Sequence, residues 1–211
     1  GSQVFKATIT SLEKEKNTYN NTKNFAVEVI DQKTNVAIVT AINHPDIGAL
    51  KRAIEANAQR KVTVVNPQEI KSLQDYGVLI LYQPTPAFKA VLDLNNSTGL
   101  STFIVTGTNT NFEFLNQIQN SFTFKMSTQK EDYLPKFENQ FNLFALENTG
   151  FDNLPPLQNA YGKIQINTDA FVLLSAKIRN LDTGAPLLSF TENQGKRAAY
   201  LFGENIWKWR L

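Results

Sequence analysis

Cysteine is absent from the 211 residues, and histidine occurs once, at His44. These two scarcities remove thiol nucleophiles, disulfides, thiolate zinc sites and iron–sulfur clusters, together with any chemistry that needs a pair of imidazoles. An excess of charge is lacking too: 21 Lys and Arg stand against 19 Asp and Glu, a formal net charge of +2. Without a long basic run, the chain carries no electrostatic footprint of a nucleic-acid-binding protein. No apolar run approaches the ~18 residues of a membrane-spanning helix, and no signal-peptide pattern opens the chain. What is present is enough apolar mass for a core. Hydrophobic residues make up 42% and charged residues 19%, which excludes a disordered tail or a collagen-like chain. The length suits one ordinary domain, or one domain with a small attachment.

Gly1 reads as an expression remnant, and Trp207-Lys208-Trp209-Arg210-Leu211 stops abruptly in an aromatic stretch, so both ends are expected to be cut from a longer protein. A cysteine-free chain with 23 asparagines suits an exported bacterial domain. Sequons at Asn20, Asn95 and Asn96 matter only in a glycosylating host.

Residues 4–10 and 24–30 alternate with period two around a polar, turn-rich connection, which predicts a β-hairpin. A lone hairpin is marginal in water, so it must pack on something. From Asn35 to Ala41 the pattern becomes a mostly apolar run, expected of a strand buried on both faces. Ile47, Leu50, Ile54 and Ala58 follow at helical spacing after a loop that ends in a plausible cap at Asp46. Strands are predicted at 61–65, 77–82 and 100–105, with helices at 87–93 and 111–120. This alternation predicts an α/β fold with a largely parallel sheet. In the last third, residues 141–146 fit strand or helix equally, and 151–157 form a Pro-rich link. Strands at 163–166, 170–176, 187–190 and 198–202 follow, the last two joined as a hairpin across Asn193-Gln194-Gly195-Lys196, adding antiparallel strands at one edge.

Three stretches resemble a known family. They are Asn43 to Ile54, with its His44-Pro45-Asp46 loop and helix; Ser97-Thr98-Gly99-Leu100 leading into Phe103-Ile104-Val105-Thr106-Gly107; and Ala185-Pro186-Leu187-Leu188 through Gly195-Lys196-Arg197 to the tryptophan-bearing tail. Together they resemble the class I glutamine amidotransferase-like fold, in the non-catalytic form found in large membrane-anchored bacterial proteins that also carry von Willebrand A-type domains. Glu15-Lys16-Asn17 with Asn20-Asn21 and the strand to Val29 is similar to the last hairpin of an immunoglobulin-like domain. The resemblance implies a flavodoxin-like three-layer sandwich at 33–211, preceded by that hairpin at 1–32. It also implies an extracytoplasmic (periplasmic) location, with neighbouring domains or other proteins at the membrane as partners. Active amidotransferases carry a cysteine on the strand-to-helix turn that here reads Thr106-Gly107-Thr108-Asn109, and a histidine on a late loop. This chain has neither, and a threonine hydroxyl without a positioned base is a poor nucleophile.

Each candidate residue has a sharper and a plainer reading. His44 is expected at the carboxyl end of a strand, where doubly wound folds place ligands, yet a His before Pro also serves as an ordinary turn residue. Thr108 and Asn109 precede a helix whose free N–H groups could hold an anion, or they simply cap it. With His44, Asp46 and Glu204 they make up the candidate ligand-binding set. Glu131, Asp132 and Asp152 read as solvated surface, with no calcium-loop pattern. Lys196, Arg197, Lys208 and Arg210 form a mild basic cluster. In a strand-like tail Trp207 and Trp209 would share one apolar face, a candidate interface, with Lys208 and Arg210 on the other. No catalytic residue, metal or cofactor is expected. The leading expectation is a non-enzymatic interaction module. The alternative is a small-molecule or carbohydrate sensor, or an enzyme, working in the crevice at the strand carboxyl ends.

Overall fold

The computed structural model describes residues 2–11, 13–17, 19–28, 34–193 and 195–209. The chain divides into two compact units, Gly1–Lys33 and Thr34–Leu211. The boundary expected between 32 and 33 lies outside the described residues, as do Val29, Ile30, Gln194 and Arg210. The first unit is a two-stranded antiparallel sheet of β1 (Ser2–Thr8) and β2 (Thr22–Glu28). Phe5 pairs with Phe25 in its ladder, and their rings stack at 5.8 Å.

The second unit is mixed α/β, built on one nine-stranded sheet. Its first half comprises β3 (Thr34–Thr40), β4 (Arg60–Val65), β5 (Val78–Tyr82) and β6 (Ser101–Thr106). Three helices accompany these strands: α1 (Pro45–Glu55), α2 (Lys89–Thr98) and α3 (Phe112–Ile118). The second half comprises β7 (Phe122–Phe137), β8 (Leu157–Ile166), β9 (Phe171–Ile178), β10 (Leu181–Asn193) and β11 (Lys196–Phe202). The spatial order is β4-β3-β5-β6-β11-β10-β9-β7-β8. Ladders from β4 to β11 are parallel, and those from β11 to β8 are antiparallel. The antiparallel strands thus make up half the sheet, where the sequence led us to expect only an edge.

Apolar side chains alternate between two clusters, as the pleat requires. Ala37, Val39, Leu79, Leu81, Ile104 and Phe202 face one way, toward Phe88, Val91 and Leu115 of the α2 and α3 region. Val36, Ile38, Ile80, Tyr82, Val105 and Leu201 face the other, toward Leu50 of α1. The start of β7 joins the first cluster: the Phe122 ring lies 4.7 Å from Tyr200 and 5.1 Å from Phe202, both edge-on.

Three expectations need correction. Residues 141–146 are neither strand nor helix but irregular chain, with Phe141 and Phe144 in edge contact at 4.8 Å. Strand β7 went unpredicted, and the strand expected at 163–166 is only the end of β8. The tail is not strand-like. Ile206–Trp209 is a 3-10 turn, which turns Trp209 toward the second cluster and leaves Trp207 42% exposed.

Candidate functional site

The carboxyl ends of β3, β5, β6 and β11 meet at one end of the parallel half-sheet, where α/β folds place their sites. Two buried carboxylates, Asp46 and Glu204, sit there. Asp46 occupies the first turn of α1, whose N-cap is His44 and whose first residue is Pro45. That position favours an anion, because the free N–H groups of the helix start carry partial positive charge.

The Asp46 carboxylate is fully buried and heavily bonded. Its Oδ2 accepts the Tyr82 hydroxyl at 2.8 Å and the Asn205 backbone N–H at 2.8 Å. Its Oδ1 accepts the Trp207 backbone N–H at 3.0 Å. His44 Nδ1 lies 3.3 Å from Oδ2 and 2.8 Å from the Tyr82 hydroxyl. Burial, and then the Asp46 charge, push the Tyr82 hydroxyl well above its ordinary pKa, so it stays a donor throughout the neutral range.

Glu204 holds the second half of the site. Its Oε1 accepts the Thr108 hydroxyl at 2.9 Å, and its Oε2 accepts an N–H of the Gln83 side chain. The other end of that amide, Oε1 of Gln83, accepts the Asn109 backbone N–H at 2.7 Å. Gly107 lies so close that a Cβ there would meet Gln83 Nε2 at 2.5 Å and Glu204 Oε2 at 2.6 Å, so the close approach requires glycine. Further in, Asn159 donates to the Thr106 hydroxyl at 2.9 Å, and both residues are buried. The Glu204 backbone forms a two-way bridge with Gln158.

The five expected ligand-binding residues therefore come together as two adjoining clusters, joined through the neighbours Tyr82-Gln83 and Glu204-Asn205. His44 and Asp46 belong to one, and Thr108, Asn109 and Glu204 to the other. Asn109 contributes its backbone N–H. Trp209, expected at an interface, donates its indole N–H to Pro155 O at 2.7 Å and packs inward. Trp207 keeps an exposed ring, with Lys208 Nζ 5.8 Å above it.

Sequence reasoning missed Gln83, the centre of the Glu204 cluster. It is buried and holds φ of 51°, a left-handed conformation that is uncommon for a non-glycine residue. Nothing in the residue type signals this, since glycine and asparagine are the usual occupants. A strained turn after a strand is also where hydrolases present a nucleophile, but an amide cannot act as one. Thr106, at the turn expected to replace the amidotransferase cysteine, is fully buried with its hydroxyl bonded.

A hollow of about 360 Å³ beside this end is lined by Thr40, Ile42, Asn43, His44, Pro45, Ile47 and Val64. Neither buried carboxylate lines it. Among the described residues, no group of three or more His, Asp or Glu gathers to hold a metal ion. No helix among them is long and apolar enough to cross a membrane.

No family model and no curated protein matches this chain. Among solved structures, it is similar to an exo-β-1,4-mannosidase, Op5Man5, from Opitutaceae bacterium strain TAV5, at 9% identity and a TM-score of 0.44. It is also similar to a β-galactosidase from the psychrophilic Marinomonas ef1, at 18% identity and a TM-score of 0.41. Each likeness covers 81% of this chain but only 31% and 26% of those enzymes, so this chain spans under a third of either. At this level neither likeness bears on what the site does.

Proposed function

We infer that this chain is a non-enzymatic interaction module, an α/β domain of the glutamine amidotransferase-like kind without its chemistry. One observation carries the reading. The buried carboxylates and the buried amide at the strand carboxyl ends, Asp46, Glu204 and Gln83, are all engaged with neighbouring side chains or with the backbone. Asp46 binds the tail, Glu204 binds Gln83 and Thr108, and Gln83 binds the Asn109 amide. A catalytic carboxylate needs a free face toward substrate, and a nucleophile needs a base to activate it. This arrangement supports neither.

A flavodoxin-like three-layer arrangement is part of the reading. Its support is the parallel order β4-β3-β5-β6-β11, with α1 on one face and α2 and α3 on the other. The reading of the first unit as the last hairpin of an immunoglobulin-like domain rests on the sequence resemblance of residues 15–29. The remaining elements, a membrane-anchored bacterial protein and an extracytoplasmic location, rest on the sequence resemblance and on the cysteine-free, Asn-rich composition. The exposed Trp207 ring is the natural contact for a partner, since aromatic residues are enriched at interface centres.

A second reading, a small-molecule or carbohydrate sensor, draws on the hollow beside His44. The deciding experiment is thermal unfolding of wild type, Asp46→Asn, Glu204→Gln and His44→Ala, with and without nucleotides, amino acids, sugars and divalent metals. The interaction module predicts that both carboxylate variants melt lower and that no ligand shift depends on His44. Ligand sites are often kept at a cost in stability. A higher midpoint in Glu204→Gln, or a ligand shift that vanishes in His44→Ala, would establish the sensor instead.

A further inference from the structure

We propose that the outer face of the β7–β8 ribbon holds a second site, which binds a tetrahedral oxyanion such as a phosphate or sulfate ester. Lys125 and Lys163 lie directly opposite each other in the antiparallel ladder of these strands. Directly opposed like charges destabilise a sheet. Among the described residues neither Lys125 nor Lys163 has a carboxylate partner, and unlike the other unpaired lysines they face each other across a ladder.

The pair lines a crevice of about 590 Å³ with Thr123, Gln165 and Tyr161, which project from the same face of the ribbon by the period-two rule. The opposite wall is the end of β9 at Ile178 and the first part of β10, with Thr183 and Gly184. Among the described lining residues none is acidic. Asp182, next to Thr183 in the chain, is engaged with Lys136 at 2.7 Å. Gly162 fixes the geometry. A Cβ there would meet the Lys125 carbonyl oxygen and come within 2.7 Å of Met126 Cα, so the strands close tightly just where the lysines face each other.

Two unneutralised ammonium groups, flanked by a hydroxyl and an amide that can donate, form a receptor for a tetrahedral oxyanion. The half-exposed Tyr161 ring beside Lys163 offers an apolar surface to whatever carries the anion. The face is separate from the Asp46 and Glu204 clusters and does not depend on the reading given for them.

The test is thermal unfolding of the full chain in inorganic phosphate, inorganic sulfate or chloride, at matched ionic strength and pH 7.5. Wild type should gain about 4 °C or more at saturating phosphate or sulfate over chloride. Lys125→Gln and Lys163→Gln should lose that gain. In chloride they should melt no lower than wild type, because the repulsion is relieved. Lys163→Arg should restore the anion gain. Phosphate acting at lower concentration than sulfate would identify a phosphate ester, and the reverse order a sulfate ester. Equal midpoints for wild type in all three salts, or an anion gain that survives in both glutamine variants, would overturn the proposal.

Discussion

Asp46 and Trp207 lie 161 residues apart in the chain, yet a carboxylate oxygen of the first accepts the backbone N–H of the second at 3.0 Å. The same carboxylate holds the Asn205 amide, so one side chain ties the start of α1 to the turn that follows β11. In Asp46→Asn one acceptor oxygen becomes an NH2 group facing backbone donors. Leaving a buried donor unsatisfied costs about 1–3 kcal/mol. The expected result is a loss of that size in urea unfolding, with faster hydrogen exchange at Asn205 and Trp207. Unchanged exchange at those two amides would show that the carboxylate does not hold the tail.

Gln83→Glu would set a second carboxylate against Glu204 in a buried position. Two carboxylates sharing one site cannot both ionise easily, so one is held protonated and its pKa rises. Its folded-state pKa then exceeds the unfolded one, and the penalty is present at neutral pH and fades as pH falls toward 4. Chemical denaturation at pH 8 and pH 4.5 should show a large deficit against wild type at the first and a small one at the second. A deficit equal at both values would count against the Gln83–Glu204 contact.

Alkaline stability follows from the buried tyrosines. Burial pushes the Tyr133 hydroxyl up to about 12 from 10.0 and also raises Tyr82 and Tyr200. Below pH 10 both folded and unfolded chains keep these protons. Above it the unfolded chain ionises first, so stability is lost progressively from about pH 10 upward. Tyr82→Phe should flatten that decline. It should also lower stability at pH 7 by about 1 kcal/mol, because Asp46 loses a donor. A pH 9–12 denaturation series on both proteins measures the difference in slope.

Gly107→Ala is a purely steric test. The new methyl group would meet the Gln83 amide and the Glu204 carboxylate, and overpacking of this kind costs about 1–3 kcal/mol. The midpoint should fall. Because Thr108 and Asn109 are bonded to the same two side chains, Gly107→Ala and Glu204→Gln should cost less together than the sum of the two.

Much of the parallel half was legible because β3 and β5 carry apolar runs, Val36 to Val39 and Val78 to Tyr82, as strands covered on both faces must. Strand β7 was not. Its exposed polar middle from Ser127 to Asp132 interrupts the alternation, and Pro135 sits within its pairing with β9, opposite Ala176. Pro186 similarly lies between two register shifts in β10. Proline inside a strand ordinarily argues against one. The tail misled for a different reason. Four residues of Trp-Lys alternation fit a strand, and only Asp46 accepting the amides of Asn205 and Trp207 shows that the chain turns there. Asp46, Thr108, Asn109 and Glu204 could be singled out as polar groups near strand ends or helix starts. Gln83 could not, since its role depends on a backbone angle that its residue type does not announce.

Strand β11, the last in sequence, lies at the centre of the sheet, between β6 and β10. A ribosome that has released β6 must still deliver residues 107–195 before the strand that covers its edge emerges. At about 5–20 residues per second that interval lasts several seconds. Throughout it, the parallel half presents the unpaired backbone of β6, with Phe103, Ile104 and Val105 beside it, to any neighbouring chain. Nascent copies of this protein therefore have a defined moment of greatest exposure to misassembly, and it ends only when residues 196–202 arrive.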